Sequence, residues 1–120
     1  LIRIEFINLS FNRGILFPES GVSIIKVEGH SGYNTKGKDI VCAGIASLFQ
    51  TFILSVSKIL KLKQKIEREE SGLLSTEIDT DSLGLEDRDK LKLLIESFLL
   101  GASEISREYP GTVIIDIERH

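Results

Sequence analysis

Ile2, Ile4 and Phe6 alternate with Arg3 and Glu5, the period-two pattern of a half-buried strand, which predicts a first strand over residues 1–8. A second is predicted over residues 22–28. Between them, residues 9–21 hold Asn12, Gly14, Pro18, Ser20 and Gly21 among a few apolar positions, a loop with room for a short strand at 15–17. From Ile40 the spacing changes to threes and fours: Val41, Ile45, Leu48, Phe49, Phe52, Val56, Ile59 and Leu60 predict a helix over roughly residues 40–68, ended by the charged run 61–70 and Gly72. At 1.5 Å per residue it would be about 43 Å long, against a domain diameter of about 35 Å, so its charged last turns should protrude.

Leu74, Thr76 and Ile78 alternate with Ser75, Glu77 and Asp79, which predicts a third, polar strand suited to a sheet edge. Leu91, Leu94, Ile95, Phe98, Leu99, Ala102 and Ile105 then form a second helical stripe, with Glu86, Asp87 and Asp89 near its positive end, Arg107 near its negative end, and Pro110-Gly111 as its stop. Residues 112–118 read as a last strand. The order β-β-α-β-α-β, with one main apolar face per helix, predicts an α+β two-layer sandwich: two long helices on one face of a small mixed or antiparallel sheet.

At 120 residues the chain fits one domain, residues 1–120, and its 42% hydrophobic and 28% charged residues are the balance of a folded globular protein. A net charge of −3 argues against a general grip on nucleic-acid phosphates. Residues 40–57 are free of charge for about the length a bilayer helix requires, yet Ser47, Gln50, Thr51, Ser55, Lys58 and Lys61 trace a polar stripe along them, so a buried helix is expected and no membrane. Ile53, Leu54 and Leu62 fall outside the main apolar stripe. The helix therefore needs a second covering surface, from another helix or another subunit. A single cysteine excludes an internal disulfide, and nothing at the start reads as a signal peptide, so a reducing cytoplasm is expected.

That cysteine, Cys42, falls three residues into the predicted helix, with Asp39 as the candidate N-cap, and His30 lies twelve residues upstream across a loop holding Gly29, Gly32 and Gly37. A helix start presents free N–H groups and a positive dipole end that favour a thiolate, and an imidazole can hold or accept the proton. The dipole end is worth only about 0.3–1 kcal/mol, so a charged imidazole close to the sulfur must supply much of the activation. Asp39 has two readings, capping through the N–H of Val41 or Cys42, which is favoured, and orienting His30.

The segment Gly29-His30-Ser31-Gly32-Tyr33, followed by Gly37-Lys38-Asp39-Ile40-Val41-Cys42-Ala43-Gly44, resembles the signature of the bacterial ribosomal-processing cysteine proteases. The resemblance implies a cysteine endopeptidase, homodimeric, that trims the N-terminal extension of a large-subunit ribosomal protein after a short aromatic-containing motif. His30 and Cys42 fall on its catalytic positions. Ser31, Tyr33 and Asn34, among the glycines Gly29, Gly32 and Gly37, would form a substrate-binding loop that opens for a peptide and closes over it. The chain departs from the family in a longer segment 9–20, in Ser31 where alanine is common, and in Ala46 where serine is common.

Plainer readings stand beside this one. A lone cysteine on an apolar helix face is most often a small buried hydrophobe, and a histidine at a strand end is usually a loop residue. His120 is assigned no role. No metal is expected, because only His30, Cys42 and Asp39 stand together, and no cofactor is implied. A phosphate loop is disfavoured because the Walker ending is absent. The surviving alternative is a non-catalytic ribosome-associated binding module of the same fold.

Overall fold

The computed structural model describes residues 1–11, 14–17, 21–29, 36–70 and 72–117, with the backbone alone at 16 and 36–39. Strands β1 (Ile2–Ile7), β4 (Val22–Glu28), β5 (Lys65–Glu69), β6 (Leu73–Asp79) and β7 (Val113–Ile117) form one sheet in the order β5-β6-β4-β1-β7. Only the β1–β7 pair is parallel, so the sheet is mixed. A small hairpin of β2 (Ser10–Phe11) and β3 (Ile15–Leu16) follows β1, in the region where the alternation left room for a short strand. Helix α1 (Lys36–Leu54), continued by a π-helical turn at Ser55–Ile59, and helix α2 (Leu85–Glu108) pack together, and the predicted α+β two-layer fold is the one found.

The strand register explains the layering. Ile2, Ile4 and Phe6 of β1 lie level with Val113, Ile115 and Ile117 of β7, and Val27 and Ile25 of β4 continue their rows to Leu74 and Thr76 of β6. These positions share the face toward the helices, while Arg3, Glu5, Lys26 and Glu77 share the other. Against the inner face α1 buries Val41, Ile45, Phe49, Phe52, Ile53 and Val56, and α2 buries Leu91, Ile95, Phe98 and Ala102. Phe98 sits at the centre of a ring cluster, with centroids 5.2 Å from Phe49, 6.0 Å from Phe52 and 6.1 Å from Phe6.

Ile40–Ile59 is, among the described residues, the one helical stretch long and apolar enough to cross a bilayer; here its apolar stripe is the middle of the core and its polar stripe, Ser47, Gln50, Thr51 and Lys58, is exposed. The two helices approach closely at Gly101, where an added Cβ would lie 2.9 Å from Leu48 Cδ1.

Several expectations need correction. Helix α1 begins at Lys36, so Asp39 is its fourth residue and not its N-cap, and Gly37 lies in its first turn and not in a loop. Gly37 and the flanking lysines argue locally for a later start, but one extra turn on a helix held by packing costs only about 1 kcal/mol per poor residue. The helix also stops at Ile59 and not near residue 68. Leu60 and Leu62 return their N–H groups to the carbonyls of Ser55 and Val56 at 3.0 Å each, and Lys61 turns the chain with a φ of 57°. Gln64 then fastens the exit, its amide donating to the Ile53 carbonyl at 2.7 Å and to Ser57 Oγ at 2.6 Å, while Thr76 Oγ1 donates to its Oε1 at 2.6 Å.

The charged residues therefore do not protrude as helix. Residues 65–69 form β5, an added strand that makes the main order β-β-α-β-β-α-β and moves β6 from the predicted edge to the interior. Of the three side chains outside the main stripe, Ile53 is buried and Leu62 packs partly against the core, leaving only Leu54 exposed.

Gly29 closes β4 with a φ of 127°, and a Cβ there would lie 2.3 Å from the Leu1 carbonyl oxygen. Gly29→Ala is expected to cost about 2 kcal/mol or more, because both the backbone conformation and the contact must yield. Phe98→Ala, which empties the centre of the ring cluster, is expected to cost about 3–5 kcal/mol. Urea midpoints measure both, and an unshifted midpoint in either variant would contradict the corresponding contact.

Candidate functional site

Cys42 is the seventh residue of α1, half-buried and packed on the edge of the core beside Val41. Its sulfur therefore lies further from the helix start than the sequence pattern indicates. Only the first four N–H groups of a helix lack an intrahelical partner, and the field of its end falls off within the first turn. The backbone N–H groups of Val41 and Cys42 are thus not capping targets for Asp39, and donors from the helix start would come from residues 36–39.

Cys42 opens onto a cleft of about 610 Å³. One wall is the flank of α1, where Cys42, Ala46, Phe49 and Gln50 follow one another at intervals of four, three and one residues, a single side of the helix. The floor is the inner face of the sheet at Ile2, Val27 and Leu74. The far wall is the β5–β6 hairpin, which contributes Arg68, Glu69, Glu70, Gly72 and Leu73. Arg68 is level with Leu74 and Leu74 with Val27, so the guanidinium rises from the sheet face that carries the helices.

Gly29 joins floor to hairpin, its N–H donating to the Gly72 carbonyl at 3.3 Å, and the Gly72 N–H donates to the Glu69 carbonyl at 3.1 Å. Among the described residues the cleft is thus apolar at its base and charged on the hairpin. It offers an extended chain segment a bed beside a thiol. Among the described residues no group of three or more His, Cys, Asp or Glu is gathered to hold a metal ion.

Of the residues singled out from the sequence, Cys42 and Gly29 line this cleft, and Gly37 and Asp39 lie in the first turn of the helix that carries Cys42. His30, Ser31, Gly32, Tyr33 and Asn34 lie outside the described residues, as does the Asp39 side chain. Sequence reasoning missed the hairpin wall and Gln50. The hairpin did have a signal: Leu60, Leu62 and Ile66 alternate with Lys61, Lys63, Lys65 and Glu67. Ala46, where serine is common in the resembled family, stands one turn beyond Cys42 and gives this wall a methyl group in place of a hydroxyl.

The family model described as Cysteine protease Prp matches residues 8–114. The ribosomal processing cysteine protease Prp of Bacillus subtilis (strain 168) is 26% identical over 91 residues, which is 76% of this chain and 81% of that protein. The ribosomal processing protease Prp of S. aureus in complex with a substrate peptide matches with a TM-score of 0.72 at 15% identity, covering 98% of this chain and 100% of that one. With a covalently linked product peptide, the S. aureus protease matches at 15% identity with a TM-score of 0.74 and the same coverage, 98% and 100%. A Streptococcus mutans protein matches with a TM-score of 0.71 at 21% identity, covering 100% of this chain and 96% of its own. The structural likenesses establish the fold, and the family match over most of the sequence establishes the kinship: this chain belongs to the Prp family of cysteine proteases.

Proposed function

We propose that the chain is a cysteine endopeptidase that removes the N-terminal extension of a large-subunit ribosomal protein, with Cys42 as nucleophile and His30 as general acid and base. The observation that carries this reading is the position of Cys42 at the wall of an open, apolar-floored cleft in a chain of the Prp family. The relatives point the same way, since the B. subtilis protein is a ribosomal processing protease and the S. aureus protease holds a substrate peptide in one structure and a covalently linked product peptide in another.

On this reading the Cys42 thiolate attacks the scissile carbonyl carbon, the peptide C–N bond breaks, and His30 gives its proton to the departing amine. A thioester remains. His30 then takes a proton from water, whose oxygen attacks the thioester and returns the thiolate, releasing the new C-terminal carboxylate. Backbone N–H groups of residues 36–39 are the nearest unpaired helix donors for the oxyanion. On this reading Ser31, Gly32, Tyr33 and Asn34 belong to the substrate-binding segment, as the family resemblance implies. A free thiol nucleophile suits a reducing cytoplasm.

The expected result is that Cys42→Ala and His30→Ala each reduce cleavage of the ribosomal-protein precursor about 10³-fold or more, with stability within about 1 kcal/mol of the parent. Mass spectrometry of the precursor product reads the new N-terminus. A folded Cys42→Ala protein that still cuts would refute the nucleophile, and intact precursor with the parent protein would favour a binding module.

A homodimer fits the same reading. Leu93 and Leu100 of α2 are 67% and 66% exposed, and Ile40 and Leu54 of α1 are exposed as well, more apolar surface than two helices on a sheet can cover. Sedimentation velocity at micromolar concentration should give twice the chain mass; a monomer alone would sink the dimer.

A further inference from the structure

We propose that Gln50 and Arg68 position the substrate, holding the main chain of an extended peptide from the two walls of the Cys42 cleft. This rests on the protease reading and adds to it two residues and their chemistry. A peptide lying over Val27 and Leu74 gives up water, and each of its carbonyls then needs a donor, because an unmet buried carbonyl costs its full desolvation.

Among the described residues, donors are scarce in this cleft. The Gly29 N–H is already given to the Gly72 carbonyl and the Gly72 N–H to the Glu69 carbonyl. Glu69 and Glu70 accept hydrogen bonds and, ionised, donate none. Among the described residues lining the cleft, only the Gln50 carboxamide and the Arg68 guanidinium offer side-chain N–H groups. Neither side chain has a hydrogen-bond or ion-pair partner among the described residues, and both are exposed to the cleft.

Their spacing suits one extended chain. Gln50 lies eight residues beyond Cys42 on α1, roughly 12 Å at 1.5 Å per residue, and an extended peptide covers that distance in about three or four residues. Arg68, through Leu74, is two strand spacings from Val27, roughly 9.6 Å, and stands across the cleft from the flank of α1. Gln50 thus meets a carbonyl about three residues from the scissile bond, and Arg68 meets the same stretch from the opposite side.

The test is steady-state cleavage of a fluorogenic peptide spanning the extension junction of the ribosomal protein. Gln50→Met keeps the length of the side chain and removes its N–H groups; it should raise KM about three- to tenfold with kcat within about twofold. Arg68→Met should raise KM about tenfold or more, and Arg68→Lys should recover part of the loss. Shortening the peptide from each end in turn should, on one side only, abolish the difference between Gln50→Met and the parent, a length dependence that a structural role would not produce. Unchanged KM in both Met variants overturns the inference and leaves the protease reading standing. A parent protein that leaves the peptide whole removes the protease reading and this inference together.

Discussion

The packing of α1 on the sheet is the constraint from which the rest follows. Val41, Ile45, Phe49, Phe52 and Val56 must all leave water together, and their three-and-four spacing lets the helix lie on the strands in only one rotation. That rotation decides where its other residues go. Cys42, about 100° round the helix from Val41, is brought to the border between core and solvent, where a thiol is supported by packing on one side and open on the other. The ring cluster of Phe6, Phe49, Phe52 and Phe98 fixes the rotation further, because a slip along the helix would break several aromatic contacts at once.

Two helices do not cover five strands. The inner-face residues Ile2, Ile4 and Phe6 of β1 and Ile25 of β4 are buried, while Ile66 and Arg68 of β5 remain exposed on the same face of the sheet. The uncovered strip is the cleft. All five residues of β5 are exposed, and four of them, Lys65, Glu67, Arg68 and Glu69, are charged, which keeps an unpaired edge from recruiting other strands at random. The strand that guards the edge is also the far wall of the site. Gly29 and Gly72 tie that wall to the end of β4, so the cleft is held by backbone bonds on the hairpin side and by core packing on the helix side.

Much of this was readable in advance, for reasons that differ by element. Strand β4 has the bounds its alternation predicted, β1 and β7 lie inside theirs, and α2 carries the predicted stripe and ends before Pro110-Gly111, because each has one clean period with a turn signal beside it. The end of α1 differs because Ile59 and Leu60 extend the helical spacing while Leu60 and Leu62 also fit the strand spacing, and tertiary contacts decide between them: the Gln64 amide fastened to Ile53 and Ser57, and Lys61 in a left-handed conformation. No local pattern announces a side chain that bonds eleven residues back. The candidate nucleophile was visible because its motif is local, whereas the hairpin wall, some 26 residues further along the chain from Cys42 to Arg68, depended on that exit.

The segment 9–20, longer than the resembled family usually has, could in principle sit over the cleft and restrict it. Its described part does otherwise. Leu9 and Ile15 are buried, Phe11 stands edge-on to Phe6 at 5.8 Å, and β3 packs on α2, where Gly14 approaches Glu96 and the Lys92 ammonium lies 5.6 Å from the Phe17 ring centroid. None of these residues is among those lining the cleft, whose walls are α1 and the β5–β6 hairpin. The described part of the additional length therefore packs on the α2 side of the core, whereas the cleft beside Cys42 is lined by the other flank of α1 and by the β5–β6 hairpin.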